Sequence, residues 1–191
     1  MTIENESRHV CPWWLGYLID NPFRRLMHPA DRILGPYVRE GMRVLDVGCG
    51  FGHYTLGMAR LVGPSGRVVA ADLQEKMLDK TRSRASAKGL DERIETAKVG
   101  ARALGVAGPF DFVIAANVVH EVPDPAGLFA ELLSILNPGG LLFVHEPNGH
   151  VPADRFDEEI AMAARAGFLE AGRPPVARQR TVLLRKADTE A

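Results

Sequence analysis

The feature that most constrains this chain is an apolar run, Met42-Arg-Val-Leu-Asp-Val47, that passes directly into Asp46-Val-Gly-Cys-Gly-Phe-Gly52. Three glycines at alternate positions let a backbone turn sharply and let a ligand approach it closely. A helix opening after such a turn presents free N–H groups at its start. Twenty residues after the loop, Asp72 closes a second β-branched run, Val68-Val-Ala-Ala71. A carboxylate at the end of a second strand is placed to accept both hydroxyls of a ribose.

The rest of the chain repeats this strand–helix alternation. Strands are expected at 42–47, 67–71, 93–99, 110–116, 141–145, 168–170 and 180–185, and helices at 54–61, 74–88, 126–136 and 154–166. Gly63-Pro-Ser-Gly66 and Asn137-Pro-Gly-Gly140 read as turns. Alternation of this kind means right-handed crossovers and a mostly parallel α/β sheet. The last two of the seven strands have no helix between them, so they should form an antiparallel hairpin. Ligands of such sheets bind at the carboxyl ends of the strands, at the switch point.

Composition narrows the class further. A chain of 191 residues with 23 Lys+Arg against 24 Asp+Glu is one globular domain with near-zero net charge. That balance argues against nucleic-acid partners, which select strongly basic domains. Cys11 and Cys49 are too few for a disulfide framework or a four-cysteine zinc site. The acidic start carries no secretory signal. The uncharged stretches His9 to Ile19 and Phe112 to His120 fall short of the roughly 18 residues of a spanning helix. No integral membrane segment and a cytoplasmic location are expected.

Two ligands compete for the glycine loop. A dinucleotide wants its last glycine at position 53, where this chain has His53. Asp46, immediately before the loop, would repel a pyrophosphate and suits a ligand that bears an ammonium group. A nicotinamide-dependent oxidoreductase is therefore the weaker alternative, beside a binding module that keeps the fold without turnover.

At these residues the chain resembles the S-adenosylmethionine-dependent methyltransferases of the class I, Rossmann-like type. Val44-Leu-Asp-Val-Gly-Cys-Gly-Phe-Gly52 is similar to their first motif and Val68-Val-Ala-Ala-Asp72 to their second. Phe110-Asp-Phe-Val-Ile-Ala-Ala-Asn117 is similar to the fourth, and Leu136-Asn-Pro-Gly-Gly-Leu-Leu-Phe143 to the entry into the fifth strand. The likeness covers residues 40 to 186 and is greatest to the small quinone-biosynthesis type. It implies a three-layer sandwich on a seven-stranded sheet, with S-adenosylmethionine as cofactor. It also implies roles: Gly48, Cys49, Gly50 and Gly52 line the methionine and ribose portion, Asp46 holds the ammonium side, Asp72 the ribose, Leu73 the adenine, and Asn117 passes its backbone near the methionyl part. After the third strand the family often has an acid. Here Lys98-Val-Gly-Ala-Arg102 has none, and backbone groups of Gly100 and Ala101 take that place.

Methyl transfer from a sulfonium needs orientation above all, and needs a base only if the acceptor must lose a proton. His120-Glu121 follows the fourth strand and His145-Glu146 ends the fifth. His120 is the candidate base, with ordering of its loop as the other reading. Neither His-Glu pair has H-E-x-x-H spacing, and no metal is expected. The acceptor is read as a small molecule. Residues 1–40 form an N-terminal helical and aromatic lid segment, separate from the cofactor-binding domain at 41–191. Trp13, Trp14 and Tyr17 of that lid, with His150, are the candidate acceptor-binding residues. The alternative uses of the aromatic segment are a fixed cap on the sheet, a contact between two copies in a homodimer, or a membrane-surface patch.

Overall fold

The computed structural model describes residues 29–188. A short helix, α1 (Ala30–Leu34), precedes β1 (Arg43–Val47), α2 (His53–Leu61), β2 (Arg67–Asp72), α3 (Glu75–Ser86), β3 (Ile94–Lys98) and β4 (Phe110–Ala116). Then follow α4 (Pro125–Ile135), β5 (Leu136–Pro147), α5 (Ala153–Ala166), β6 (Phe168–Gly172) and β7 (Gln179–Lys186). The strands form one seven-stranded sheet in the order β3-β2-β1-β4-β5-β7-β6. β7 runs antiparallel to both β5 and β6, and the other neighbours are parallel. The chain reverses its winding between β1 and β4, which puts the switch point at the carboxyl ends of those two strands.

Strand parity sorts the core into two layers. Leu45, Val47, Val113, Ala115, Leu142 and Val144 pack with Leu128, Phe129 and Leu132 of α4 and with Phe156 and Ala163 of α5. The alternate residues Val44, Val68, Phe112, Ile114 and Phe143 pack with Leu34, Tyr54, Met58 and Ala85 of the helices on the opposite face. A strand buried on both faces reads as a continuous apolar run, which is why Phe110 to Ala116 gave no alternation in the sequence. Such Phe positions are costly to empty, at about 3–5 kcal/mol for truncation to Ala.

Two details differ from the sequence expectation. The fifth strand starts five residues early, because Leu136 already pairs with Phe110. The glycine-rich turn 137–140 is thereby absorbed as an irregularity, with Gly139 at φ +71°. Residues before Gly41 also pack into the unit. Leu34 and Val38 are buried, and Tyr37 stacks on Phe112 with ring centroids 6.3 Å apart. A Cβ on Gly57 of α2 would lie 2.5 Å from the Ala30 Cβ, so α1 sits tightly on α2. Residues 1–28 lie outside the described residues, and so do Cys11 and the lid residues Trp13, Trp14 and Tyr17.

Candidate active site

The loop between β1 and α2 turns through left-handed glycines, with φ +66° at Gly48, +54° at Gly50 and +74° at Gly52. Their surroundings differ. A Cβ on Gly48 would overlap Val118 at 2.7 Å, and one on Gly52 would overlap Thr81 at 2.9 Å. Those two glycines are demanded by the packing of the fold itself. Among the described residues a Cβ on Gly50 would meet no atom within 4 Å, so Gly50 faces space that none of them fills.

Asp72 fixes this loop. Gly50 N–H donates to its Oδ2 at 2.9 Å, and Gln74 N–H to its Oδ1 at 2.8 Å. An ionised carboxylate has about four acceptor positions, so these contacts do not exhaust it. Burial raises the Asp72 pKa above its usual value, against the lowering effect of backbone N–H groups from Gln74, Gly50 and Leu73. Thr81 Oγ1 donates to the Gly50 carbonyl at 3.0 Å, and Cys49 N–H to the Ala71 carbonyl at 3.0 Å. Val99 N–H donates to the Asp72 carbonyl, which brings the loop after β3 to the same edge.

Asp46 lies below the loop and is almost wholly buried. Its Oδ2 accepts the Thr55 hydroxyl at 2.5 Å. Burial pushes its pKa up to about 7, opposed by hydrogen bonds from the hydroxyl and backbone N–H of Thr55, with the charge of Asp72 adding to the rise. Thr55 lies in the first turn of α2, a helix with no side-chain cap and no acid of its own in that turn. Asp46 therefore supplies from β1 a hydrogen-bond acceptor to the first turn of α2.

Across the switch point, the loop after β4 leaves through Asn117, a non-glycine at φ +55°. Its N–H donates to the His145 carbonyl at 2.8 Å, and its Oδ1 is buried with no hydrogen-bond partner among the described residues. Beyond it, Glu146 at the end of β5 is fully buried. Glu146 Oε1 accepts Val119 N–H at 2.8 Å, and its Oε2 meets His120 Nδ1 at 2.5 Å. Burial disfavours the His120 imidazolium, but the hydrogen bond and charge of Glu146, with the charges of Glu121 and Glu159, prevail and raise its pKa. Arg155 of α5 donates to the His120 carbonyl at 3.0 Å. Glu159, one turn further along α5, is buried with neither oxygen hydrogen-bonded. Its pKa is pushed up to about 7, by burial first and the Glu146 charge second.

The comparisons with known proteins agree with this geometry. Residues 38–170, well over half of the chain, match the family described as Methyltransferase domain. The chain belongs to that methyltransferase family. It is 39% identical over 110 residues to the ubiquinone/menaquinone biosynthesis C-methyltransferase UbiE of Hahella chejuensis, covering 57% of this chain and 44% of that protein. It is 33% identical over 141 residues to the ubiquinone biosynthesis O-methyltransferase of Xanthomonas axonopodis pv. citri, covering 71% of this chain and 56% of that protein. The chain thus spans about half the length of these curated relatives. Its fold is similar to that of a SAM dependent methyltransferase from Aquifex aeolicus, with TM-score 0.82, 24% identity, and coverage of 92% of this chain and 99% of that one.

S-adenosylmethionine, the cofactor in the name of that Aquifex aeolicus protein, fits the residues at this end of the sheet. Gly50 opens onto space that a Cβ would fill, Asp72 keeps lone pairs beside it, and the Asn117 Oδ1 is an orphan acceptor at the same end of the sheet. Leu73 is half-buried next to Asp72, Gly100 is exposed and Ala101 half-buried after β3. Cys49 is buried, and burial holds its thiol well above the usual range. His150 stands exposed in the loop after β5, with its N–H bonded to the Pro147 carbonyl. His145 turns into the core, edge-on to Tyr54, with Nδ1 3.3 Å from Gln179 Oε1. Among the described residues no helix is long and apolar enough to cross a membrane, and no cluster of three metal-ligating side chains occurs.

Sequence reasoning missed three residues here. Thr81 gives the glycine loop a hydroxyl from a helix thirty residues away, a contact with no linear signal. Glu146 was visible as half of a His-Glu pair, but its partner is His120 rather than the adjacent histidine. Glu159 did leave a trace: it sits within the stripe Phe156, Ile160 and Ala163 of α5, where a carboxylate is out of pattern.

Proposed function

We propose that this domain transfers the methyl group of S-adenosylmethionine to a small-molecule acceptor at the carboxyl ends of β1, β2 and β4. The observation that carries the reading is Gly50, which has open space over its Cα and an N–H tied to Asp72. In this reading Gly48, Cys49, Gly50 and Gly52 cradle the methionine and ribose, Asp72 accepts the ribose hydroxyls, and Leu73 packs on the adenine. Gly100 and Ala101 offer backbone groups to the adenine edge, and Asn117 faces the methionyl part. Asp46 acts on the ammonium side through its charge, while its hydrogen bonds are made to α2. The cofactor supplies an electrophilic methyl carbon on a sulfonium, and the protein's part is orientation and exclusion of water.

Both curated relatives are named for quinone biosynthesis, which supports an acceptor of the hydroxylated-ring kind. Trp13, Trp14 and Tyr17, with His150, are the proposed acceptor contacts. The balanced charge supports a soluble, cytoplasmic protein without a nucleic-acid partner, and a homodimer contact remains the alternative use of the aromatic segment.

Calorimetry with S-adenosylhomocysteine tests the reading. Asp72→Ala removes an acceptor of charge-assisted hydrogen bonds, each worth about 1.5–3 kcal/mol, so affinity should fall at least tenfold. Gly50→Ala should stay folded at a cost of about 1–2 kcal/mol for its left-handed backbone and still lose binding. Unchanged affinity in both variants, or preference of the wild type for NAD, would sink the assignment.

A further inference from the structure

Three features stand outside the cofactor cradle: a shallow basic groove between α1, α2 and α3, the buried His145–Gln179 contact, and the acid cluster around His120. Arg60 and Arg84 of the groove are already bonded, to Asp31 and to the Phe51 carbonyl. His145 is part of the core. The cluster around His120 carries more.

We propose that Glu146 is a positioning residue that holds His120 as a general base, and that the acceptor is therefore a weakly acidic hydroxyl compound of the phenol or enol type. This rests on the methyl-transfer reading above. Val118 overlaps the space over Gly48, so the loop that carries His120 abuts the cofactor loop. Glu146 then fixes that loop at three points: Val119 N–H at 2.8 Å, His120 N–H at 3.4 Å, and His120 Nδ1 at 2.5 Å. A buried carboxylate with no competing solvent keeps Nδ1 protonated and leaves Nε2 as the basic nitrogen. Among the described residues His120 Nε2 makes no hydrogen bond, and Glu121 Oε1 lies 3.9 Å from it, beyond hydrogen-bonding range. His120 retains 16% of its side-chain exposure while Glu146 retains none. The ring thus has one nitrogen anchored in the interior and the other available at the edge of the sheet.

The charged groups around the ring are the carboxylates of Glu121, Glu146 and Glu159 and the guanidinium of Arg155, which binds the His120 carbonyl. Three acids against one base favour the imidazolium. That is what proton removal from an acceptor requires, because the charge created on the ring is stabilised as it forms. Glu159, with neither oxygen hydrogen-bonded among the described residues and 3.9 Å from Arg155 Nε, adds a further carboxyl to this field. In the step itself, the hydroxyl oxygen uses its lone pair to form the bond to the methyl carbon. The carbon–sulfur bond breaks and its pair stays on sulfur, which becomes a thioether. The hydroxyl proton passes to His120 Nε2 and leaves from there to water.

Two measurements on the full chain, saturated with S-adenosylhomocysteine, decide it. In a histidine-labelled NMR titration His120 should be a single Nδ1–H tautomer titrating above the usual histidine value. Glu146→Gln should lower that pKa by half a unit or more, and Glu146→Asp should restore part of it. The second uses 4-nitrocatechol, whose ionisation is visible by absorbance. Bound to the wild type it should ionise at lower pH than it does free, and His120→Gln should abolish that shift. His120 titrating normally and indifferently to Glu146→Gln, or a probe that does not bind or ionises equally in wild type and His120→Gln, overturns the proposal. Should Glu146→Gln not fold, the His120→Gln comparison stands alone as the decision. Wild type that fails to bind S-adenosylhomocysteine would instead mark failure of the cofactor reading.

Discussion

Asp46 and Glu159 are two buried carboxylates on opposite sides of the switch point, and burial drives both to a pKa of about 7. Their surroundings are otherwise opposite. Asp46 is satisfied by the hydroxyl and N–H of Thr55 and sits at the positive end of α2. Glu159 lies within α5 with neither oxygen hydrogen-bonded among the described residues, and Arg155 Nε stands 3.9 Å from its Oε1. The Thr55 hydrogen bonds reduce the desolvation cost of Asp46 without cancelling it, whereas Glu159 has no hydrogen bond among the described residues to reduce its own. Beside the glycine loop, then, the buried carboxyl gives the start of α2 a hydrogen-bond acceptor. Around His120 the buried carboxyl of Glu159 lowers stability once charged and adds to the field on the ring.

The linkage follows from the direction of the shifts. Both groups have folded pKa values raised above the unfolded ones, from 3.8 and 4.5 to about 7. Their contribution to stability is therefore fully present below about pH 4 and lost as pH rises through about 7. Substitutions should separate the two regions by sign.

The largest effect is expected from Gly52→Val, which strikes the Asp46 side at the start of α2. It combines a β-branched residue at φ +74° with an overlap against Thr81. A loss of about 3 kcal/mol or more, read by urea unfolding, is expected from strain and overpacking together. Stability within 1 kcal/mol of wild type would show that the loop adapts and that its glycines serve only the ligand.

Glu159→Gln should act in the other direction, stabilising the domain at pH 8 by up to about 3 kcal/mol, since one pKa unit corresponds to about 1.4 kcal/mol. At pH 4 the carboxyl is neutral and the gain should vanish. A variant that is less stable than wild type at pH 8 would show that Glu159 has a partner that offsets its burial, and the contrast with Asp46 would be lost.

The smallest effect sharpens the same contrast. Thr55→Val keeps the shape of the side chain but removes the hydroxyl from Asp46, at a cost of about 1.5–3 kcal/mol at pH 8, where the acceptor is charged. Thermal unfolding at pH 5 should show a smaller loss, because Asp46 is then protonated. Equal losses at both pH values would mean that Asp46 never carries charge in the folded state.

How much of this was legible depends on whether backbone or side chains build the feature. The seven strands, their parallel order and the closing antiparallel pair could be read from apolar runs and their punctuation, because a crossover sheet writes its period and turns into the chain. The cofactor loop was legible for the same reason. A left-handed backbone at three alternate positions selects glycine, and the carboxylate that ties it ends the next strand. Tertiary structure alone decided the rest. It showed that Gly48 and Gly52 answer to Val118 and Thr81 while only Gly50 faces space. It turned Asp46 toward Thr55, and it joined His120 to Glu146 across 26 residues rather than to its neighbour in sequence. Those pairings depend on which side chains three separate elements bring to one edge, and a contact of that kind leaves no period and no spacing in the chain.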